Sequence, residues 1–360
     1  MQAEGVKFNS QQEIHNFLFK NGFQTGDYFK IVSSAEEVMQ EINAIDKRKN
    51  SLDVMIDGVV VSINQVAYRD EIGWTTKFPK WAMAYKFEAE EVSTVLNNVV
   101  WQVGRTGKVT PIAILQPVEL AGATVQKATL NNYDDILRKN ISIGSRVFVR
   151  RSNEVIPEVL GLAEKAKDAK EIEEISLCPC CASKLIKKGP LLYCPNHDGC
   201  FDQIEGRITH FTSRDAFNIE GLSEKTASVL ITDLGVKNPA DLYKLEKADF
   251  LKLNNFKDKK AENLQKSIQK SKKIELFRFI YALGIGEVGI KTARDIANYF
   301  SSLQAIEQAK LSEIQSLSDI GPVIAKNVFD YFKDQANLKQ ISCLLDVAVE
   351  IINQNPPDFS

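Results

Sequence analysis

The 360-residue sequence predicts a multidomain α+β protein, and three observations carry that reading. Between Val92 and Leu162, short β-branched stretches alternate with turn residues (Gly104, Gly107, Pro111, Gly122, Gly144, Pro157), the texture of a small β-barrel. Five of the six cysteines crowd into the stretch from Cys178 to Cys200. From Phe201 to about Ile352 apolar residues recur at helical spacing. The composition, 44% hydrophobic and 26% charged, excludes wholesale disorder and a disulfide-scaffold peptide. With 45 basic against 47 acidic side chains, the net charge of −2 excludes a protein that holds nucleic acid by bulk charge alone. Any such contact must use local patches and backbone amides. No apolar run approaches the roughly 18 residues of a membrane helix, and the N-terminus MQAEGVKFNS is too polar for a signal peptide. The expected compartment is the cytosol, with no membrane partner.

In chain order, the spacing predicts a helix near Ser10–Asn21, an extended Tyr28–Val32 and a helix near Ala35–Lys49. The β-branched stretch Val54–Asn64 (VMIDGVVVSIN) suits a buried strand, and Trp81–Phe87 (WAMAYKF) a second strand. After the barrel, Ala163–Ile175 is charged and reads as a linker or exposed edge. The last residues, NQNPPDFS, read as a frayed tail.

The cysteine cluster carries the strongest local signal. Cys178-x2-Cys181 is followed, after twelve intervening residues, by Cys194-x5-Cys200, which sets four thiolates around one tetrahedral ion, with Zn2+ the default. The predicted site is structural, with no open coordination position. Cys180 is then a bystander. A chance cluster of free thiols, or His197 replacing one cysteine, are the competing readings.

The helical third repeats itself. Four segments share an apolar residue flanked on both sides, then three residues, then alanine: Gly221-Leu222-Ser223 with Ala227, Asn255-Phe256-Lys257 with Ala261, Glu287-Val288-Gly289 with Ala293, and Asp319-Ile320-Gly321 with Ala325. The alanines are 34, 32 and 32 residues apart. The bulky residues of tetratricopeptide arrays are missing. Glycine at the turns suits helix-hairpin-helix units, whose helix N-termini hold a DNA phosphate through N–H groups without reading bases. Gly221, Gly289 and Gly321 would allow close backbone approach. The second unit, with Asn255 and Lys257, is either structural or uses the Lys257 charge. A plain helical bundle is the bland alternative.

Residues 102–111 (QVGRTGKVTP) form a Gly-rich basic turn in which Arg105 and Lys108 suit phosphate, and Arg146, Arg150 and Arg151 follow in a later strand. Over residues 101–160 there are eight basic and five acidic side chains, as in nucleic-acid grooves of OB-fold barrels, although charged barrel rims are usually only solvated. Asp57 begins a strand and reads, by itself, as a turn carboxylate. Lys86, in an apolar strand, needs an anionic partner such as a phosphate if it faces inward, or else it points to water.

These pieces in this order resemble the bacterial NAD-dependent DNA ligases from about residue 1 to 345. Ile56–Val61 (IDGVVV) resembles the family's fourth nucleotidyltransferase motif and Trp81–Phe87 its fifth. Val103–Pro111, Ala128–Asn132 (ATLNN) and Arg150–Pro157 (RRSNEVIP) resemble its OB-fold. The four cysteines match its zinc finger, and His210–Gly221 (HFTSRDAFNIEG) opens its helix-hairpin-helix domain. The resemblance implies the C-terminal part of a nucleotidyltransferase domain at 1–90, an OB-fold at 91–170, a four-cysteine zinc finger at 171–203, an all-α helix-hairpin-helix domain at 204–345 and a tail at 346–360.

It also implies a reaction: a lysine takes AMP from NAD, passes it to the 5′-phosphate of a nick, and the 3′-hydroxyl displaces AMP, with Mg2+ or Mn2+ around the phosphates. Lys86 would contact the adenylate phosphate and Asp57 would organise metal and phosphate. The barrel and hairpin turns would clamp nicked double-stranded DNA, as a monomer, beside the bacterial nucleoid in replication and repair.

Two departures stand out. No Lys-x-Asp-Gly nucleophile motif occurs, and Ser62 stands where the family places a nucleotide-binding lysine. The expectation is a fragment or truncated copy, without the BRCT domain that ends the family and inactive without a separate N-terminal adenylation half. The alternative is a non-catalytic module that binds nicked DNA.

Overall fold

The computed structural model describes residues 5–25, 28–54, 56–75, 78–88, 91–120, 122–152, 156–254 and 256–352. Met55 of the strand motif, Asn153, Glu154 and Val155 of the barrel motif, Asn255 of the second repeat and the tail from Asn353 lie outside the described residues. The chain forms two compact units, and it is a multidomain α+β protein with a closed barrel, a four-cysteine cluster and an all-helical portion.

The first unit comprises Met1–Asn97, Ile114–Ala128 and Gly144–Asp168. It opens with α1 (Gln11–Lys20) and α2 (Ala35–Arg48), where helices were expected. Ser10 and Ser34 cap them by accepting from Glu13 N and Glu37 N. The Glu13 and Glu37 carboxylates reach back to Asn9 N and Ser33 N. These reciprocal bonds satisfy donors that a helix start leaves free. Ile42 and Ile45 give α2 its buried stripe.

β1 (Gly58–Ser62) and β2 (Ala82–Lys86) flank the short α3 (Ala67–Ile72) and pair antiparallel, Gly58 with Lys86 through Ser62 with Ala82. The sequence predicted a buried strand here, and the structure differs. Val60 and Met83 are 73% and 71% exposed. Each strand has a single neighbour among the described residues, so Val60 stands in solvent and Val59 and Val61 are only half-buried.

β3 (Glu91–Val103), β4 (Lys108–Leu120), β5 (Ala123–Thr129), β6 (Arg146–Ser152) and β7 (Ile156–Glu164) form the barrel. They lie in the order β3, β6, β7, β5, β4, and β3 also pairs with β4, which closes the ring. Strand alternation puts Leu96, Leu115, Val147, Val149 and Val159 in its interior at 0–2% exposure.

The second unit comprises Asn98–Ala113, Thr129–Ile143 and Ala169–Ser360. It holds α4 (Tyr133–Arg138), the hairpin of β8 (Ile186–Lys188) and β9 (Leu191–Tyr193), and then helices. The first of these are α5 (Phe201–Thr212), α6 (Glu224–Leu234), α7 (Lys247–Phe250) and α8 (Asp258–Lys270). β10 (Lys273–Glu275) follows, then α9 (Leu276–Ala282), α10 (Ile290–Phe300), α11 (Leu303–Gln308) and α12 (Leu311–Gln315). α13 (Pro322–Tyr331), α14 (Gln335–Asp346) and β11 (Glu350–Ile352) complete it.

One apolar core, from Ile204 to Val349, joins these helices. The helical pattern expected to about Ile352 gives way at its end to β11, which pairs in parallel with β10. Among the described residues no helix is long and apolar enough to cross a membrane.

Candidate metal centre and nucleic-acid interface

In the first unit, β1 and β2 bring Asp57 and Lys86 together. Lys86 stands opposite Gly58, and its ammonium forms an ion pair with the Asp57 carboxylate, while Phe87 N–H donates to Asp57 O at 3.0 Å. Both side chains remain in solvent contact, 59% exposed at Lys86 and 38% at Asp57. Alternation sets Gly58, Val60 and Ser62 on one face with Ala82, Ala84 and Lys86. Ser62 shares the Lys86 face but sits four register steps away, about 13 Å along the strands. Gly58 is required: a Cβ there would lie 2.2 Å from Tyr85 O.

In the second unit, four sulfurs converge. Those of Cys178, Cys181, Cys194 and Cys200 lie within 4.8 Å of one another. Cys178 and Cys200 Sγ are 3.9 Å apart, and Cys181 and Cys194 Sγ are 3.5 Å apart. A tetrahedral ion with sulfur ligands at about 2.3 Å needs sulfurs about 3.8 Å apart, so the donor set fits one.

The local chain path explains the convergence. Ala182 N–H donates to Cys178 O at 2.9 Å and turns back with φ +57°, bringing Cys181 beside Cys178. The β8–β9 hairpin then returns the chain to Cys194. Cys200 is the N-cap of α5, so the last ligand and the first helix are one joint. Buried Gln203 donates to Cys194 O and Asn196 O, tying that joint together.

Burial raises the thiols of Cys194 and Cys200. At Cys181 burial is outweighed by hydrogen bonds with Ser183, Asn196 and Cys194, and the thiol is lowered. Cys180 accepts from Asp202 N–H at 3.4 Å and stays out of the cluster, and His197 pairs with Asp198 instead.

The basic turn between β3 and β4 packs on this centre. Gly107 has φ +81°, and a Cβ on it would lie 2.6 Å from Cys194 O. Arg105 runs inward: Nη1 donates to Gly284 O at 2.9 Å, and burial lowers its pKa. Gly206 and Gly284 make room, since Cβ atoms there would lie 2.9 Å from Arg105 Cβ and 2.5 Å from Arg105 Nη1. Lys108 begins β4 opposite Tyr193. Arg150 and Arg151 fall in the other unit, where Arg150 pairs with Glu158 at 2.8 Å. Arg146 donates to Ser93 O and Oγ, both at 3.0 Å.

The four repeated segments fold alike. Leu222, Phe256, Val288 and Ile320 N–H groups donate to the carbonyls three residues earlier, and these side chains are all buried. Ala227, Ala261, Ala293 and Ala325 make the first helical bonds, to Ser223, Lys257, Gly289 and Gly321 O, at 2.8–3.0 Å. All four alanines are 0% exposed, which leaves no room for a larger side chain against the preceding helix.

The structure separates the three glycines that the sequence grouped. Gly221 occupies the left-handed position of its turn (φ +86°), where the third and fourth turns carry Glu287 (φ +62°) and Asp319 (φ +67°). Gly289 and Gly321 are helix N-caps in ordinary extended backbone, and a Cβ added to either would meet nothing within 4 Å. Sequence reasoning missed the cross-links between the last two turns. Lys291 pairs with Asp319 at 2.6 Å, and Asn327 donates to Gly286 O at 3.0 Å. Aligning the four segments by their alanines already sets Glu287 and Asp319 beside Gly221, which was the available signal.

Comparisons with known proteins align with this geometry. Residues 1–90 match the NAD-dependent DNA ligase adenylation domain and residues 93–171 the NAD-dependent DNA ligase OB-fold domain. Residues 278–341 match the helix-hairpin-helix motif. The chain is 45% identical over 347 residues to a DNA ligase of Alkaliphilus oremlandii, covering 96% of this chain and 52% of that protein. It is 47% identical over 347 residues to DNA ligase 2 of Clostridium acetobutylicum, with coverages of 96% and 52%. To a DNA ligase of Clostridium botulinum it is 46% identical over 360 residues, with coverages of 98% and 54%. The chain thus spans about half the length of the curated relatives it matches.

Proposed function

Because this chain belongs to the DNA ligase family, with domain matches of its NAD-dependent branch, we propose that it supplies the DNA-holding half of a nick-sealing enzyme. The observation that carries this reading is the fourfold turn. Two of its helices start at a glycine N-cap with open space around the Cα, so a phosphate oxygen can approach the N–H groups of the first helical turn. Gly221 serves the first turn by its left-handed backbone, and Lys108 and Arg151 add charge along the barrel, while Arg150 first has to exchange its Glu158 partner for a phosphate. Nicked double-stranded DNA is the partner, held by one copy of the chain in the bacterial cytoplasm, in replication and repair.

Zn2+ is the ion proposed for Cys178, Cys181, Cys194 and Cys200. Bound there, it supplies no chemistry but fixes the barrel turn against the start of α5 through Gly107, Cys194 and Cys200. In the sealing reaction a lysine attacks the α-phosphorus of NAD and releases nicotinamide mononucleotide; the AMP it then carries moves to the 5′-phosphate of the nick, freeing the lysine, and is displaced by the 3′-hydroxyl as the strand is sealed. Lys86 supplies positive charge to the adenylate phosphate in this scheme, and Asp57 holds the ammonium in place until the phosphate arrives. Asp57 is a single carboxylate already paired to a cation, which does not by itself make a site for Mg2+. Ser62 can hydrogen-bond a nucleotide but brings no charge.

The 360 residues contain no Lys-x-Asp-Gly. Incubated alone with NAD labelled in its adenylate, the chain is expected to remain unlabelled, and an acid-stable labelled band would contradict this. Mixed with a family adenylation half, it is expected to restore nick sealing. Ser62 favours the second reading, a nicked-DNA-binding module without catalysis. That reading predicts DNA binding with no sealing in the mixture, and no gain from Ser62→Lys.

A further inference from the structure

The second repeated turn departs from the others, because Lys257 stands where the third and fourth have N-cap glycines. Lys257 opens α8, and the helix continues in kind. Ala261, Leu264 and Ile268 are its buried stripe. At 100° per residue, Lys259, Lys266 and Lys270 fall within about 40° of one another on the opposite face. They span about 16 Å of helix.

This row walls a groove of about 1220 Å3 that starts beside Gly221 and also receives Lys260 and Arg278. Among the described residues, Lys257, Lys259, Lys260 and Lys270 have no carboxylate partner. Lys260 lies over the Phe256 ring at 3.9 Å, and Lys266 pairs with Glu262 one turn earlier. Arg278 donates to Ala216 O and Arg214 O, and among the described residues it forms no ion pair. The carboxylates on the wall are Glu220 and Glu275.

A groove this large exceeds the roughly 300–1000 Å3 of small-molecule pockets, and its cations lie in a line rather than around a point. Phosphates along one DNA strand also lie in a line, one per about 3.4 Å of duplex axis, so a linear row of cations suits a strand rather than a single phosphate group. We propose that the lysine face of α8 carries the phosphate backbone of a duplex arm beyond the turn contacts, lengthening the DNA footprint from Gly221 along the helix. This rests on the DNA-binding reading above. It assigns to the second turn a charge contact in place of the close backbone approach that glycine gives the third and fourth.

The test compares the whole chain with a Lys259→Ala, Lys266→Ala, Lys270→Ala variant on nicked duplexes with arms of about 6 and about 20 base pairs. Alanine preserves the helix, which circular dichroism verifies. A Lys244→Ala, Lys252→Ala, Lys339→Ala variant matches the charge change elsewhere on the surface. On long arms the α8 variant is expected to lose about tenfold in affinity, and its slope of log affinity against log salt to fall by about 2–3. On short arms it should match the unaltered chain, and arginine at the three positions should restore long-arm binding. Equal loss on both arms, the same loss in the control variant, or no loss on either would overturn the proposal. If the unaltered chain binds neither arm, the DNA-binding reading itself fails.

Discussion

Gly107 and Asp135 show how single residues set the local architecture. Alanine at Gly107 must hold φ +81° and force a Cβ to 2.6 Å from Cys194 O. Gly107→Ala is expected to cost about 2–3 kcal/mol and, on the proposal that the four cysteines hold Zn2+, to lower the zinc content of the purified protein, read by thermal melting and elemental analysis. Retained stability and full metal would contradict the packing described. Asp135 is buried at the first turn of α4, where burial alone would raise its pKa. Hydrogen bonds from Lys139, Asn131 and Arg138 outweigh burial and hold it at about 2. Since its pKa is depressed in the folded state, the carboxylate stabilises the protein above about pH 4 and loses that contribution as pH falls toward 2. Asp135→Asn should therefore cost about 2 kcal/mol at neutral pH and flatten acid unfolding over that range, as measured by urea melts at stepped pH. An unchanged acid limb would contradict the assignment.

At the scale of elements, the repeated turns make the cleanest separation of fold from function. A Cβ at Gly289 or Gly321 meets nothing within 4 Å, and both have ordinary φ. The double variant Gly289→Ala, Gly321→Ala loses only the N-cap preference, under about 1 kcal/mol per helix, yet interposes two methyls between backbone and phosphate. Binding of nicked duplex is expected to weaken at least about tenfold while the melting temperature moves by a few degrees. Equal affinity would mean that phosphate does not approach these turns.

Elements were legible wherever the signal was local. Ser10 with Glu13 and Ser34 with Glu37 mark the starts of α1 and α2, and the alanine spacing marks all four turns. β1 was misread as buried, because a β-branched run tells which residues want a sheet interior but not how many strands flank them. The Arg105 bond to Gly284 O joins residues 179 apart in sequence, and no spacing rule reaches that far.

For the molecule as a whole, the cysteines and the order of the pieces were readable. The two compact units were not, because β3 and β4 are each 13 residues long and run from one unit into the other. A reading that cuts the chain into consecutive segments cannot see a strand shared in this way. The near-neutral net charge also takes on meaning at this scale. With 45 basic and 47 acidic residues, the proposed affinity for DNA has to come from placed groups: turn amides, barrel cations and the lysine row of α8. Such contacts still release counterions, so they leave a salt signature. The most direct measurement is the equilibrium binding of nicked duplex DNA by the chain, purified with Zn2+ present, across a salt series. The account predicts binding at low salt whose logarithm falls linearly with the logarithm of salt concentration, with a slope of several. No binding at low salt, or binding indifferent to salt, would contradict it.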